Sequence, residues 1–366
     1  MAVKTIKTPA VIIGGGVAGL AAAIDLSRRG LSSLVVERGP RLGGRVADFC
    51  CKATDSCVRC GACRLADLVR RVAARPEIAI YTSAKPVAAE ADGDGWRLTL
   101  EPQRNNGPAP VVELAGGPLP RRSQVQAGAV ILAVGATPFD PSAKSRFGYR
   151  RVPGVVSALE LEGALEHSLA ELAGGRDPRR VAFIQCVGSR DESLGHLYCS
   201  RVCCGFALRM ARVIQARRPG TEITFFHMDV QTYGRAWAGE LAEMREQMNF
   251  VRAMPGEVTA GPGGPQVVYA AGGRSQTAEF DLVVLSQGMR PPVGAAALSQ
   301  LFACARTSDG FLGSDAEPVA SGAAGVFIAG SARGPMSIVE SIEHGAVAAA
   351  AAAGHLQPLV REAAHA

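Results

Sequence analysis

No stretch of this 366-residue chain stays apolar for the length that a bilayer crossing needs. A basic tract interleaved with aromatics is missing too. The net charge of +6 is spread over scattered arginines, which argues against nucleic acid as a partner. A secretory leader is also lacking: Lys4 and Lys7 precede Ala10-Val-Ile-Ile13, but Gly14-Gly-Gly16 cuts the apolar run short. No internal repeat is visible beyond two β-α-β patterns. These absences predict a cytoplasmic globular protein, and the length fits about two domains.

What is present in quantity is glycine (43 residues) and cysteine (10 residues). A disulfide framework is the device of small secreted domains. Here the cysteines fall into two tight groups, Cys50, Cys51, Cys57, Cys60 and Cys63, then Cys186, Cys199, Cys203 and Cys204, with Cys304 alone as a core or surface thiol. Grouping of this kind points to metal or redox chemistry in a reducing compartment.

The first β-α-β unit runs from a strand at Ala10–Ile13 through a helix at about Val17–Arg29 to a strand at Ser33–Glu37. Its strands are nearly all apolar, as in a parallel sheet covered on both faces. Gly14, Gly16 and Gly19 form a G-x-G-x-x-G turn between strand and helix. They permit a tight turn, close approach of a pyrophosphate and close packing of helix on strand. Glu37 ends the second strand, where a carboxylate can accept from ribose hydroxyls. Both NAD and FAD use this fingerprint.

A helix is expected at Leu65–Ala74, and short strands at Ile78–Thr82, Trp96–Glu101, Val111–Leu114 and Ala129–Val134. Pro102–Gln126 reads as a loop or hairpin tip, and Gly256–Gly273 as turn-rich. The second β-α-β unit is Arg180–Gln185, a helix at about Cys203–Arg217, and Glu222–His227. A further helix is expected at Gly239–Asn249, strands at Asp281–Ser286 and Gly325–Ala329, and a final Ala-rich helix at about Ile338–Ala353.

The second cysteine group, with gaps of 13, 4 and 1, matches neither the common ferredoxin run nor a zinc ribbon. Four thiolates suit a [4Fe–4S] cluster or a tetrahedral zinc. The two CxxC-like knuckles usual in structural zinc sites are missing, which favours iron–sulfur. The first group contains CxxCxxC spacing and leaves three readings open: a second cluster, a redox dithiol, or free buried thiols.

Arg41-Leu-Gly-Gly-Arg45, Ala129-Val-Ile-Leu-Ala-Val-Gly135 and Gly325-Val-Phe-Ile-Ala-Gly330 resemble, in order, FAD motifs of the glutathione-reductase type. That resemblance implies FAD held by Gly14, Gly16, Gly19, Glu37, Arg38, Gly44, Arg45, Gly135, Gly330 and Ser331, the last standing where the family usually has Asp. It also implies an α/β fold of two dinucleotide-binding-type domains of the glutathione/thioredoxin reductase class. FAD would occupy 1–155 and 282–366, with a second Rossmann-like domain inserted at 156–281. Where relatives bind NAD(P)H, this chain has Cys186-Val-Gly-Ser-Arg190 and Cys203-Cys204, so direct NAD(P)H reduction is not expected.

Ile184-Gln-Cys-Val-Gly-Ser-Arg-Asp191 and Tyr198-Cys-Ser-Arg-Val-Cys-Cys204 resemble the flavin subunit (HdrA) of heterodisulfide reductases over most of the chain. The resemblance implies a [4Fe–4S] cluster on Cys186, Cys199, Cys203 and Cys204, Arg209 near the flavin in place of a frequent lysine, and a homodimer. Pro102–Gln126, where methanogen members carry a ferredoxin-like insert, has no cysteines, so the expected likeness is to the compact form of sulfur-oxidising bacteria. That form implies partners among Hdr-like subunits (Fe–S and CCG-domain proteins) and, indirectly, a lipoate-binding protein. The competing functions are a self-sufficient flavin disulfide reductase using Cys57 and Cys60, an electron-bifurcating HdrA, and a zinc-stabilised scaffold.

Overall fold

The computed structural model describes residues 5–103, 116–119, 121–165, 167–233 and 237–363. The chain divides into two compact units, Met1–Ala47, Gly61–Thr137 and Pro291–Ala366 in the first, and Asp48–Cys60 and Pro138–Arg290 in the second. The chain thus leaves the first unit briefly at 48–60, a segment carrying four of the cysteines, before leaving it again at 138.

The first unit is built on an eight-stranded sheet. The path runs Ala84–Asp92, Gly95–Pro102, Ser123–Leu132, Thr5–Ile13, Ser33–Val36, Ile78–Thr82 and Gly116–Pro118, with Val326–Ile328 also beside Ser123–Leu132. Thr5–Ile13 lies parallel to both neighbours, Ile13 opposite Val36 on one side and Leu132 on the other. Alternation then sorts its side chains. Ala10 and Ile12 enter a core with the Val17–Arg28 and Ile338–Ala363 helices, while Val11 and Ile13 enter one with Leu98, Leu100 and Phe302.

The second unit holds a five-stranded parallel sheet in the order Asn249–Val251, Glu222–Phe226, Arg180–Val187, Leu282–Gln287, Val155–Ser157. Strand order reverses beside Arg180–Val187, the arrangement of a doubly wound sheet. The Cys203–Arg217 helix covers one face through Ala207, Met210, Ala211 and Ile214. Phe183, Phe225 and Phe250 stack across three neighbouring strands at centroid separations of 5.0 and 4.9 Å.

Most expected elements are present within a residue or two of their bounds, the Cys203–Arg217 helix with the same ends. Four expectations need correction. Gly256–Gly273 is not merely turn-rich: Glu257–Ala260, Pro265–Ala271 and Arg274–Glu279 form an antiparallel sheet turned at Gly272-Gly273, both at positive φ. A two-glycine hairpin between alternating residues is what such a turn requires. Ala84–Asp92 is an additional strand at the sheet end, its alternation blurred by Lys85 and Pro86. Within the expected Pro102–Gln126 loop, Gly116–Pro118 and Ser123–Gln126 are strand; the expected strand Val111–Leu114 lies outside the described residues. The last helix continues to Ala363. Among the described residues, no helix is long and apolar enough to cross a membrane.

Candidate functional site

In the first unit the glycine motifs meet at the ends of three adjacent parallel strands. Gly14 turns at φ +113°, and a Cβ there would stand 2.4 Å from the Ala133 carbonyl oxygen. At Gly19 a Cβ would stand 2.0 Å from the Gly14 carbonyl oxygen, so helix and strand pack at a separation only glycine allows. Gly16 differs: a Cβ built there meets nothing nearer than the Gly44 Cα at 3.9 Å. Gly16 also caps the Val17–Arg28 helix without any side chain bound to the helix amides. An uncapped helix start facing open space, with its positive dipole end, is what a phosphate requires.

Glu37 braces the turn. Its Oε2 accepts from the Gly15 N–H at 2.7 Å and its Oε1 from the Gly39 N–H at 2.6 Å. A carboxylate has about four lone-pair sites, so capacity remains for a hydroxyl donor. Gly44 backs directly onto Gly16, and Arg45 donates to the Ala136 carbonyl at 2.5 Å, tying the Arg41–Arg45 turn to Gly135. Arg38 follows Glu37 at the end of that strand. Ser331 reaches to within 3.9 Å of where a Gly135 Cβ would be. Glu37, Gly44 and Arg45 are thus tied to Gly15, Gly16 and Ala136 of the same group of turns.

A histidine that sequence reasoning passed over completes it. The Gly330 N–H donates to His344 Nδ1 at 2.9 Å, and His344 Nε2 lies 3.0 Å from the Pro318 carbonyl oxygen. Those two partners fix the neutral ring with its proton on Nε2. Burial first, and Arg333 as well, hold His344 below the ordinary imidazole range against the pull of the Pro318 carbonyl. The ring thereby secures Gly330 in its left-handed turn at φ +63°.

In the second unit the strand Arg180–Val187 loses register with Leu282–Gln287 between Ile184 and Val187. Cys186 sits in that irregularity at φ +58°, followed by Arg190 at +52° and Arg201 at +58°. Non-glycine residues in this region cost about 1–3 kcal/mol each and mark functional sites. The segment folds back on itself: the Arg190 N–H donates to the Tyr198 carbonyl, Asp191 N–H to His196, and the Arg201 N–H to Cys199 Sγ at 3.3 Å. Buried Ser200 anchors it by accepting the Met289 N–H at 2.8 Å. Cys203 and Cys204, both buried, start the next helix at an end without a side-chain cap.

Cys186, Cys203 and Cys204 are each shifted by their surroundings. Burial, then the neighbouring Cys204 and Cys199, push Cys186 up to about 12, while Arg190 pulls it down. The Cys203 S–H points at Cys204, which raises Cys203, burial adding to it; the same bond brings Cys204 down. Such a pocket resists thiolate charge until a cation shares it. Gln185 and Ser189, buried beside Cys186, carry side-chain polar atoms without a partner among the described residues. Also among the described residues, no three Cys, His, Asp or Glu side chains converge on a single metal ion. Zinc would need its thiolates within about 2.3 Å of one centre. Four thiolates with no carboxylate or imidazole among them are a soft donor set, which would suit a [4Fe–4S] cluster or a zinc ion.

The first cysteine group is divided. Cys50, Cys51, Cys57 and Cys60 belong to the second unit and Cys63 to the first, where it precedes the Arg64–Ala73 helix. Cys50 is buried, Cys60 half-buried, and Cys51, Cys57 and Cys63 exposed; no disulfide joins any of the ten cysteines. Cys304 is a core thiol of the first unit, raised by burial. Arg209 is engaged with the loop of the first group: its Nε donates to the Val58 carbonyl at 3.1 Å, and its plane lies 4.7 Å over Trp237.

Residues 12–62 match the family model of the NAD(P)-binding Rossmann-like domain. The chain is 29% identical over 425 residues to the HdrA protein of the H2:CoB-CoM heterodisulfide,ferredoxin reductase of Methanothermobacter marburgensis, covering 95% of this chain and 64% of that relative. It is 28% identical over 437 residues to the second iron-sulfur HdrA protein of the CoB–CoM heterodisulfide reductase of Methanopyrus kandleri, covering 96% and 66%. It is a homologue of HdrA. The chain spans about two thirds or less of the length of these HdrA relatives. Among solved structures, thioredoxin reductase of Lactococcus lactis aligns at a TM-score of 0.58 and 18% identity, over 96% of this chain and 99% of that one. That likeness shows the fold alone, the architecture of a thioredoxin reductase.

Proposed function

We propose that this chain is the FAD- and [4Fe–4S]-containing electron-transfer component of a heterodisulfide reductase-like complex in cytoplasmic sulfur oxidation. The observation that carries it is the quartet: a strand bulge at Cys186 and a helix start at Cys203-Cys204 occupy the turn where a nicotinamide-binding unit needs glycines. With both groups bound, the flavin supplies two-electron chemistry and the cluster one-electron relay.

The chain's own residues bind and tune. Gly14, Gly16 and Gly19 open a helix start to phosphate, Glu37 offers its remaining lone pairs to a ribose, and Gly44, Arg45, Gly135, Gly330 and Ser331 close the cradle. Arg38 follows Glu37 into the same strand end. Arg190, paired with Asp229, lowers the cost of negative charge on Cys186 and Cys204. The Arg201 N–H bonds the Cys199 sulfur. Chemistry at sulfur then belongs to partner subunits, the Fe–S and CCG-domain proteins of such complexes, with a lipoate-binding protein as carrier and a homodimer as the assembly unit.

Metal and flavin analysis of anaerobically purified protein tests this, with EPR after reduction. About four irons per FAD, or about eight with a second cluster, is the expected result. Zinc without iron, or sustained disulfide turnover of the isolated chain with NAD(P)H through Cys57 and Cys60, overturns it.

A further inference from the structure

Lys52 stands inside the first cysteine group and is 1% exposed. Its ammonium bonds Glu162 Oε1, also 2% exposed, and the Cys50 carbonyl at 3.1 Å. The rings of Phe49 and Phe206 enclose it at 5.4 and 5.2 Å. The same Glu162 Oε1 accepts the Cys50 N–H at 2.8 Å, so both backbone polar groups of Cys50 are engaged. Glu162 lies on the buried side of the Ala158–Ala164 helix, whose start is fixed by the Ser157–Glu160 capping box.

Buried ion pairs are weak stabilisers, since desolvating two charges offsets their attraction. Their best-attested use is to fix a register or position. Here the pair joins the loop to the quartet helix through Phe206, and a second tie lies nearby. Phe206 and Arg209 lie on the Cys203–Arg217 helix that begins with two quartet cysteines, and Arg209 holds Val58 of the same loop.

We propose that Lys52 and Glu162 are a positioning pair that seats the Cys50–Cys60 loop on the unit bearing the quartet, so that the loop thiols keep a fixed place relative to the quartet helix. This rests on the electron-transfer reading in that the loop would serve the same path, as ligand or as redox thiol. The seat itself is independent of iron.

Hydrogen exchange read by mass spectrometry on the anaerobically purified full chain tests it. Lys52→Met alone strands a buried carboxylate and risks misfolding, so the decisive variant is Lys52→Met with Glu162→Leu, which removes both charges. Peptides spanning 48–60 should exchange at least about tenfold faster in it, while those of Arg180–Val187 keep wild-type rates. Lys52→Arg, which keeps the cation, should retain slow exchange and the wild-type EPR line shape of the reduced protein, whereas the double variant shifts that line shape. Unchanged exchange of 48–60 in the double variant, or equal acceleration in Lys52→Arg, overturns the seat. Iron content separately decides the electron-transfer reading: protein without iron whose loop still loosens sinks that reading and keeps the seat.

Discussion

Two strand–turn–helix units in this chain begin alike and end differently. Thr5–Ile13 and Arg180–Val187 are both parallel strands, buried at the end that feeds a helix across a turn. In the first the turn is glycine, left open at Gly16 and backed by Gly44. In the second it is a bulged cysteine and a folded-back segment, with two more cysteines in the helix start. On the proposed reading one frame would serve two anionic guests, a pyrophosphate and a set of thiolates, since both profit from the positive end of a helix. What changes is the filling of the turn: glycine leaves room where a phosphate would sit, and cysteine places sulfur where ligands would stand.

The comparison breaks most severely at the glycine turn. Gly19→Val places carbon against the Gly14 carbonyl and should cost about 3 kcal/mol or more. FAD per chain and soluble yield should both collapse; a yellow, folded variant would show that the close approach is dispensable. Next in size, Cys203→Ser should drop iron from about four to under about one per chain while leaving FAD bound. Loss of flavin along with iron would show that the two turns are not independent.

A sharper contrast comes from Cys186→Gly. It should lose iron like Cys203→Ser, yet change the melting free energy of the iron-free protein by under about 1 kcal/mol, because glycine relieves the left-handed turn. A drop well beyond that would mean Cys186 is held by packing rather than under strain.

Smaller effects follow. His344→Ala removes the acceptor of the Gly330 N–H and should cost about 1–3 kcal/mol, seen as a lower melting temperature and weaker FAD retention. Because burial holds native His344 below its unfolded value near 6.5, the unfolded chain binds that proton first. Stability from this residue is therefore full above about pH 6.5 and falls as pH drops through the native value. Melting curves from pH 7.5 to 5 should show that slope, and His344→Ala should flatten it. The least change is expected of Arg209→Lys, which loses the stacked plane over Trp237 and should lower stability by about 1 kcal/mol.

Much of this architecture is legible in the chain as written. Apolar parallel strands, the Gly14–Gly19 turn and the Cys203 helix start announce themselves because each depends on a run of neighbouring residues. Lys52 and Glu162 do not, since they are 110 positions apart and an isolated lysine between cysteines reads as solvated. His344 is hidden in an Ala-rich helix for the same reason. The Glu257–Glu279 sheet is masked by its glycines, although the Gly272-Gly273 pair between Tyr269 and Gln276 is itself a hairpin signal.

The brief excursion of residues 48–60 has a consequence for anyone dividing this protein. Excising 138–290 as a free-standing piece would remove Lys52 and leave the Glu162 carboxylate entombed without its cation, beside the bared face of Phe206. The second unit has no single pair of cut points. Whatever carries the quartet must be inherited together with a peptide that the genetic order files under its neighbour.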